Sequence, residues 1–240
     1  MPHFFISSKE VNENIIEFQE DYKHLVKSLR LKEGEKLKLI DENEMSYETV
    51  VKKITPTTII AEIEKSCKST RKLNFNLYLA QVPLRSDAQN LLIEKATELG
   101  VKKVYPLISK NCALAKNVIE KKVEKWGKIM IEASKQCERA NIPICNKPVD
   151  FNTLLQTEKF DKIIAFCERY SEISLKKYLT KNPIMSNEKI LVIIGPEGGF
   201  TQDEFDFFTQ NKISKISLGQ MILKAETAVI AGLGNIIYEN

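Results

Sequence analysis

Hydrophobic and polar positions alternate in two different ways along the chain. Up to about residue 70, short apolar segments such as LKLID, YETVVKKI and TIIAEIE are separated by turn-forming residues, which is typical of β-strands. The stretch DYKHLVKSLR has helical spacing instead. We therefore predict a small β-rich barrel with one helix over residues 1–70, followed by a polar and basic linker, SCKSTRK.

From residue 73 to residue 240, strand-like and helix-like segments take turns. The predicted strands are LNFNLYLAQ, VYPLI, KIIAFC, KILVIIG and ISLG, and the predicted helices cover 86–99, 117–139, 171–179, 202–210 and 225–238. Capping-box spacing of Ser86 with Gln89, and of Thr201 with Glu204, supports two of the helix starts. Regular alternation of this kind predicts an α/β domain with a mostly parallel sheet.

Three of the nine glycines stand within five residues, in the segment IIGPEGGF. The strand before them and the strand ISLG flank helix 202–210, so a right-handed crossover puts both strand ends at one edge of the sheet. Ligands of parallel sheets bind at that edge, and the loops GPEGG and LGQMILKAET should emerge there side by side. Their backbone, aliphatic and carboxylate groups suit an adenine and a sulfonium better than a polyphosphate. The alternative is a tight turn that binds nothing.

Composition narrows the class of protein. The chain has 240 residues, of which 43% are hydrophobic and 28% charged, as in ordinary soluble globular proteins. No apolar run approaches the roughly 20 residues of a membrane span, and the start of the chain lacks the layout of a signal peptide. Five scattered cysteines and two histidines favour neither a disulfide framework nor a metal site. We predict a cytoplasmic protein with no membrane contact and no metal.

Positive charge is concentrated in residues 101–140, which carry ten basic and four acidic side chains, a local excess of +6. A field of this kind can attract a polyanion such as RNA. A solvated lysine-rich helix is the simpler interpretation.

Four segments, in order along nearly the whole chain, resemble motifs of the RsmE family. They are HLVKSLRLKEGE, IEKATELGVKKVYPL, KWGKIMIEASKQCERANIP and the final pair IIGPEGGFTQDE with SLGQMILKAETAVIAGLG. Members of this family, within the SPOUT superfamily, methylate N3 of a uridine in 16S ribosomal RNA. The resemblance implies a PUA-like RNA-binding domain at residues 1–70 and an α/β methyltransferase domain at 73–240 with a deep trefoil knot. It also implies S-adenosylmethionine as cofactor, the small ribosomal subunit or its RNA as substrate, and a homodimer.

Matching motif positions suggests the residues that would bind the cofactor. The resemblance assigns to this pocket Phe166, Cys167, Gly195, Glu197, Gly198, Gly199, Leu218, Gly219, Met221, Ile222 and Leu223.

Two residues are candidates for catalysis. Uracil N3 loses a proton during methylation, so a cation aimed at the developing negative charge would stabilise it. Arg139 is the candidate, because arginine is rare among the basic residues of this chain, although a helix C-terminal cation is an equal alternative. Glu197 could orient the cofactor, the loop or the base.

Other polar residues are candidates for RNA contacts or helix capping. His24, Lys27, Arg30 and Lys224 are the candidate RNA contacts. Glu226 and Thr227 open the last predicted helix, where a capping role is at least as well supported as a catalytic one. Val229, Leu233 and Ile237 make that helix apolar enough to cover the pocket of a second subunit.

Two other functions remain open. A SPOUT enzyme with another target, such as transfer RNA or a ribose 2′-OH, would keep the glycine loops and change the product. A non-catalytic RNA-binding protein would share the basic segment without needing the paired loops.

Overall fold

The structure is a computed structural model that describes residues 3–168, 170–171 and 173–240. The chain divides into two units. The first consists of Met1–Lys72 together with Ser134–Asn141, and the second of Leu73–Ala133 together with Ile142–Asn240. The segment Ser134–Asn141 was not predicted to belong with the N-terminal residues.

The first unit is built on one sheet. Its strands are β1 (His3–Ile6), β2 (Val11–Asn12), β3 (Ile15–Phe18), β4 (Lys36–Asp41), β5 (Met45–Ile54) and β6 (Ile59–Lys68). They are ordered β1-β4-β5-β6-β3-β2, with β1 parallel to β4 and the other pairs antiparallel. Alternate side chains of these strands, including Ile16, Leu39 and Ile59, form a buried core.

Two local predictions for this unit were wrong in detail. The predicted helix is a π-helical segment of five residues, His24–Ser28, in which the Leu29 amide donates to the His24 carbonyl at 2.9 Å. Leu25 fills the core beneath it. The first three residues of the predicted linker SCKSTRK continue β6 to Lys68, because they pair with β5.

Long-range contacts attach the segment Ser134–Asn141 to the rest of the first unit. The Lys135 ammonium lies 2.8 Å from the Asp21 carboxylate. His3 Nε2 is 2.9 Å from the Arg139 carbonyl, and Asn141 donates to Glu44 at 3.2 Å. Such partners, up to 136 residues apart in the chain, leave no signal in a local sequence pattern.

His3 makes the stability of the first unit depend on pH. Burial is the largest cause that lowers the pKa of His3 below the ordinary 6.5. The unfolded chain then takes up a proton before the folded one, so stability falls as the pH drops through about 6.5 towards the folded pKa. We expect His3→Gln, which keeps a donor for the Arg139 carbonyl, to flatten this slope between about pH 7.5 and about pH 5.5 in calorimetric unfolding. Identical slopes in the two proteins would contradict the prediction.

The second unit contains a mostly parallel sheet. Its strands are β7 (Asn76–Gln81), β8 (Lys103–Ile108), β9 (Ile144–Cys145), β10 (Val149–Asp150), β11 (Lys162–Phe166), β12 (Ile173–Ser174), β13 (Lys189–Ile194) and β14 (Ser214–Ser217). The order is β10-β8-β7-β13-β11-β14-β12, with β9 also paired to β8, and the paired strands are parallel in the described part of the chain. The predicted α/β alternation is observed.

Helices cover both faces of this sheet. They are α1 (Ser86–Glu98), α2 (Lys116–Gln136), α3 (Phe151–Thr157), α4 (Leu175–Lys181), α5 (Gln202–Gln210) and α6 (Ala225–Tyr238). Side chains of α1, α2, α4 and α6 pack with Leu77 and Leu79 on one face, and those of α3 and α5 pack with Tyr78 and Ala80 on the other. Since successive strand residues point to opposite faces, one strand supplies both cores.

Several helix boundaries differ from the prediction. Helix α2 ends three residues before 139. The predicted helix 171–179 begins only at Leu175, because Ile173–Ser174 pairs with β14, and its residue 172 lies outside the described residues. Helix α3 was not predicted.

The two predicted capping boxes have different outcomes. At α5 it is confirmed, with the Thr201 amide 2.7 Å from Glu204 Oε2 and the Glu204 amide 3.4 Å from Thr201 Oγ1. At α1 the Ser86 side chain lies outside the described part of the chain, and Gln89 instead accepts from the Leu84 amide at 2.7 Å.

Helix α6 packs into its own unit. Val229 and Leu233 are fully buried, and Ile237 packs against the same core. The expectation that these side chains cover a second subunit is therefore wrong, because they already contact the sheet and α1. Throughout the described residues, no helix is both long enough and apolar enough to cross a membrane.

Candidate active site

Three strands of the second unit end together at one edge of the sheet. Phe166, the last residue of β11, is in register with Ile194 of β13 on one side and with Ile216 of β14 on the other. The glycine loop after β13 and the loop after β14 therefore leave the same edge, as predicted. They are not direct neighbours, because β11 lies between them.

A cavity of about 840 Å³ opens where β11 and β13 end. All of its described lining residues belong to the second unit. They come from the end of β11, the glycine loop, the start of α6 and the helices α1 and α5. The described lining residues are Ala88, Phe166, Cys167, Glu168, Tyr170, Ile194, Gly195, Pro196, Glu197, Gly198, Gly199, Phe200, Phe205, Ile222, Leu223, Lys224, Ala225, Glu226 and Ala228. The volume is within the range of small-molecule and cofactor pockets.

The glycine loop is held open towards this cavity. The Gly199 amide donates to the Pro196 carbonyl at 2.9 Å, which closes a tight turn. Gly199 has φ +72, a left-handed conformation that side chains disfavour, and a Cβ there would meet no atom within 4 Å. Asn111 fixes the loop from outside, because its side-chain amide donates to the Gly199 carbonyl at 3.0 Å. The backbone of the loop is thus accessible and preorganised for a ligand.

The cavity combines apolar walls with several charged groups. Phe166, Ile194 and Leu223 supply apolar surface, and the Tyr170 ring packs against Phe205 at a tilt of 41°, with ring centroids 4.4 Å apart. Among the described lining residues, the carboxylates are those of Glu168, Glu197 and Glu226, and the cation is Lys224. This described part of the lining offers more negative than positive charge to a ligand.

The Cys167 thiol in this lining is not an activated nucleophile. Burial, with a smaller contribution from the negative Glu168, raises its pKa to about 12. A thiol with this pKa is protonated near neutral pH, whereas the thiolate is the reactive form. Cys167 therefore contributes surface to the cavity and not a nucleophile.

Comparison with known proteins agrees with this geometry. A family profile described as "RNA methyltransferase domain" matches residues 71–237, and a second one, "RNA methyltransferase PUA domain", matches residues 19–64. The chain is 31% identical over 97% of its length to the ribosomal RNA small subunit methyltransferase E of Rickettsia conorii, of which the match covers 93%. The same-named protein of Mesomycoplasma hyopneumoniae is 30% identical, with 96% of each chain covered.

The chain belongs to the ribosomal RNA small subunit methyltransferase E family. Among solved structures, that of a family member from Neisseria gonorrhoeae bound to S-adenosyl methionine superposes with a TM-score of 0.85 at 22% identity, covering 98% of this chain and 96% of the other. This likeness shows the fold. The predicted α/β class with a parallel sheet and a small N-terminal PUA domain is confirmed. The trefoil knot concerns the path of the chain, which strand order does not specify, and stays a prediction.

Most of the residues predicted to bind the cofactor line one cavity. The structure brings together Phe166, Cys167, Gly195, Glu197, Gly198, Gly199, Ile222 and Leu223. Their contact with a cofactor stays a prediction.

Three predicted residues of the loop after β14 are absent from the described lining. Leu218 packs against the hydrophobic core instead. Gly219 is exposed, and its carbonyl accepts from the Ser217 hydroxyl at 2.7 Å. Met221 is 74% exposed. The described lining contributed by this loop begins only at Ile222.

Arg139 is not brought into this cavity. It lies in the first unit, nearly buried, where its guanidinium donates to the Asn141 side chain at 2.9 Å. Burial lowers the pKa of Arg139 to about 10. Its catalytic role stays a prediction.

The remaining candidates fall into two groups. His24, Lys27 and Arg30 are exposed on and after the π-helical segment of the first unit. Lys224 and Glu226, at the start of α6, line the cavity, whereas Thr227 does not. No side chain caps the start of α6, so the predicted capping role is not observed there.

Sequence reasoning missed part of the lining. Glu168 could have been found by extending the predicted wall Phe166–Cys167 by one residue, because the chain leaves the sheet there. Ala88 and Phe205 sit on helices whose apolar residues otherwise pack into the core, so no local signal separates them from core positions.

Proposed function

We propose that this protein transfers the methyl group of S-adenosylmethionine to N3 of a uridine in 16S ribosomal RNA. The observation that carries the proposal is the cavity of about 840 Å³ at the ends of β11 and β13, bounded by an accessible glycine loop, in a chain of this family. The names of the relatives, and the S-adenosyl methionine in the Neisseria gonorrhoeae structure, support the substrate and the cofactor.

The residues present fit S-adenosylmethionine. Ile194, Ile222 and Leu223 offer apolar surface for an adenine, and the open backbone at Gly199 permits close approach because no Cβ intervenes. The carboxylates of the described lining suit the positive charge of a sulfonium. When bound, this cofactor supplies an activated methyl group.

The chain contributes mainly by positioning and by excluding water. Methyl transfer needs an in-line approach of the acceptor nitrogen, so fixing the donor against a rigid sheet edge lowers the barrier. The aromatic side chains of Tyr170, Phe200 and Phe205 supply apolar surface to one wall of the cavity. Glu197, exposed in the glycine loop, is our candidate for orienting the cofactor or the base.

Negative charge develops on the uracil as N3 loses its proton. Arg139 remains our candidate for stabilising that charge, on the argument that a fixed cation aimed at it accelerates the reaction. Arg139 is not among the described lining residues of the cavity, so a measurement of turnover in an Arg139 variant is needed to test this role.

We propose that the first unit binds the RNA. The match to a PUA domain over residues 19–64 supports this role, as do the exposed His24, Lys27 and Arg30. Contacts of this kind fix the position of the RNA backbone without reading its sequence. We place the reaction in the cytoplasm, on the small ribosomal subunit or its RNA.

We further propose that the protein acts as a homodimer. The buried side chains of α6 are not available for this contact, but Ile230 and Tyr238 of the same helix and Met221 and Ile222 beside the cavity are exposed. Sedimentation equilibrium at micromolar concentration tests the proposal, and a monomer would contradict it.

Nucleoside analysis tests the proposed reaction. Ribosomal RNA or small subunits lacking the modification are incubated with the protein and S-adenosylmethionine, digested and analysed by mass spectrometry. We expect 3-methyluridine, and its absence from the reaction without cofactor. A ribose 2′-O-methylated nucleoside, or activity on transfer RNA alone, would overturn the target. Binding of RNA without any methylation would overturn the enzyme assignment.

A further inference from the structure

Glu168 is the first residue after β11, the strand that lies between the two loops of the cavity. It lines the cavity beside Cys167, and its negative charge contributes to the raised pKa of that thiol. The residue is half-buried, and its Oε1 atom is shielded from solvent.

One oxygen of this carboxylate has no partner. Among the described residues, four buried side-chain oxygens lack a hydrogen bond, and Glu168 Oε1 is the one that belongs to a residue lining the cavity. A buried acceptor without a donor costs about 1–3 kcal/mol, and more when it is charged. An arrangement of this kind is explained when a bound molecule supplies the missing donor.

The surrounding groups favour a ligand as the source of that donor. The neighbours along the wall, Phe166 and Cys167, are buried, and the aromatic pair Tyr170 and Phe205 forms the adjacent surface. The cation of the described lining, Lys224, is the N-cap residue of α6 and makes no hydrogen bond to Glu168.

We propose that Glu168 binds the methyl donor by accepting a charge-assisted hydrogen bond from one of its O–H or N–H groups. This inference rests on the proposed function. S-adenosylmethionine carries two kinds of donor that a carboxylate binds well, the ribose hydroxyls and the ammonium of its amino-acid part. Charge-assisted hydrogen bonds are about twice as strong as neutral ones, so Glu168 contributes strongly to affinity.

Calorimetric titration of the whole chain with two ligands tests the inference and distinguishes the two donors. The ligands are S-adenosylmethionine and 5′-methylthioadenosine, which keeps the ribose and adenine but lacks the ammonium and the sulfonium. We expect Glu168→Gln to weaken binding of S-adenosylmethionine by about tenfold. Weaker binding of both ligands assigns the contact to the ribose, and weaker binding of S-adenosylmethionine alone assigns it to the charged part of the molecule, which carries the sulfonium and the ammonium.

Controls separate binding from folding. Glu120→Gln makes the same chemical change at an exposed position of α2 outside the cavity, and we expect its affinities to equal those of the unchanged protein. Thermal unfolding without ligand should leave Glu168→Gln at least as stable as the unchanged protein, because an unpaired buried charge is removed.

The outcomes distinguish this inference from the proposed function. If the unchanged protein binds both ligands and Glu168→Gln binds them equally well, the inference is overturned and the function stands. If the unchanged protein binds neither ligand, the proposed function and the inference fall together. A large loss of stability in Glu168→Gln would also overturn the inference about Glu168, since the carboxylate would then stabilise the folded protein and not a bound ligand.

Discussion

Replacing Gly232 by alanine is expected to destabilise the second unit by about 2 kcal/mol and to weaken binding of S-adenosylmethionine by about tenfold. Gly232 is buried in α6, and a Cβ there would overlap the Phe166 ring, with Cε2 and Cζ as the nearest atoms. The ring must move or the helix must shift. Because Phe166 also lines the cavity, the same displacement changes the shape of the binding site.

The chain provides a matched control two residues away. A Cβ on Gly234 would meet nothing within 4 Å, so Gly234→Ala should stabilise the helix by about 0.5–1 kcal/mol through its better helix propensity. Urea unfolding followed by fluorescence measures both variants, because the single tryptophan, Trp126, is buried in the second unit. Equal free energies of unfolding for the two variants would contradict the prediction, because they would show that the Phe166 ring moves without destabilising the protein.

Replacing Arg139 by lysine is expected to lower the turnover of ribosomal RNA methylation by about 100-fold while S-adenosylmethionine still binds. The guanidinium is planar and offers several donors, one of which the Asn141 side chain accepts. A lysine ammonium keeps the charge but not this geometry. Burial of Arg139, which lowers its pKa to about 10, indicates that a cation is retained there despite the cost of desolvation.

Arg71→Lys is the control for this prediction. Arg71 also lies in the first unit, but its side chain is 59% exposed and pairs with Glu138 at 3.0 Å, so lysine can replace it. We expect its turnover to remain near normal. If Arg139 is purely structural and acts as a cation after the end of α2, its replacement by lysine would instead lower the stability of the protein. The turnover of the folded protein would then be unchanged. Near-normal turnover of Arg139→Lys would therefore refute its catalytic role.

Features that depend on neighbouring residues could be predicted from the sequence. The capping box of Thr201 and Glu204 and the tight turn at Gly199 are contacts over a few residues, so the residue types alone indicate them. The change from the strand-rich first 70 residues to alternating strands and helices likewise reflects local periodicity. The resemblance of the motifs to a known family, and not a local interaction, indicated eight cofactor residues that line one cavity.

Tertiary structure alone decided which distant segments meet. The position of β11 between β13 and β14 depends on pairing across the sheet, and it brings Glu168 and Tyr170 to the cavity. The placement of Arg139 in the first unit depends on partners such as His3, 136 residues away. Val229 and Leu233 could equally have faced a second subunit, until packing against the sheet buried them. The sequence by itself determined the local elements and the chemistry of the loops, because those interactions act within a few residues. The strand order and the burial of each side chain had to come from the fold, because they depend on long-range packing that no local pattern encodes.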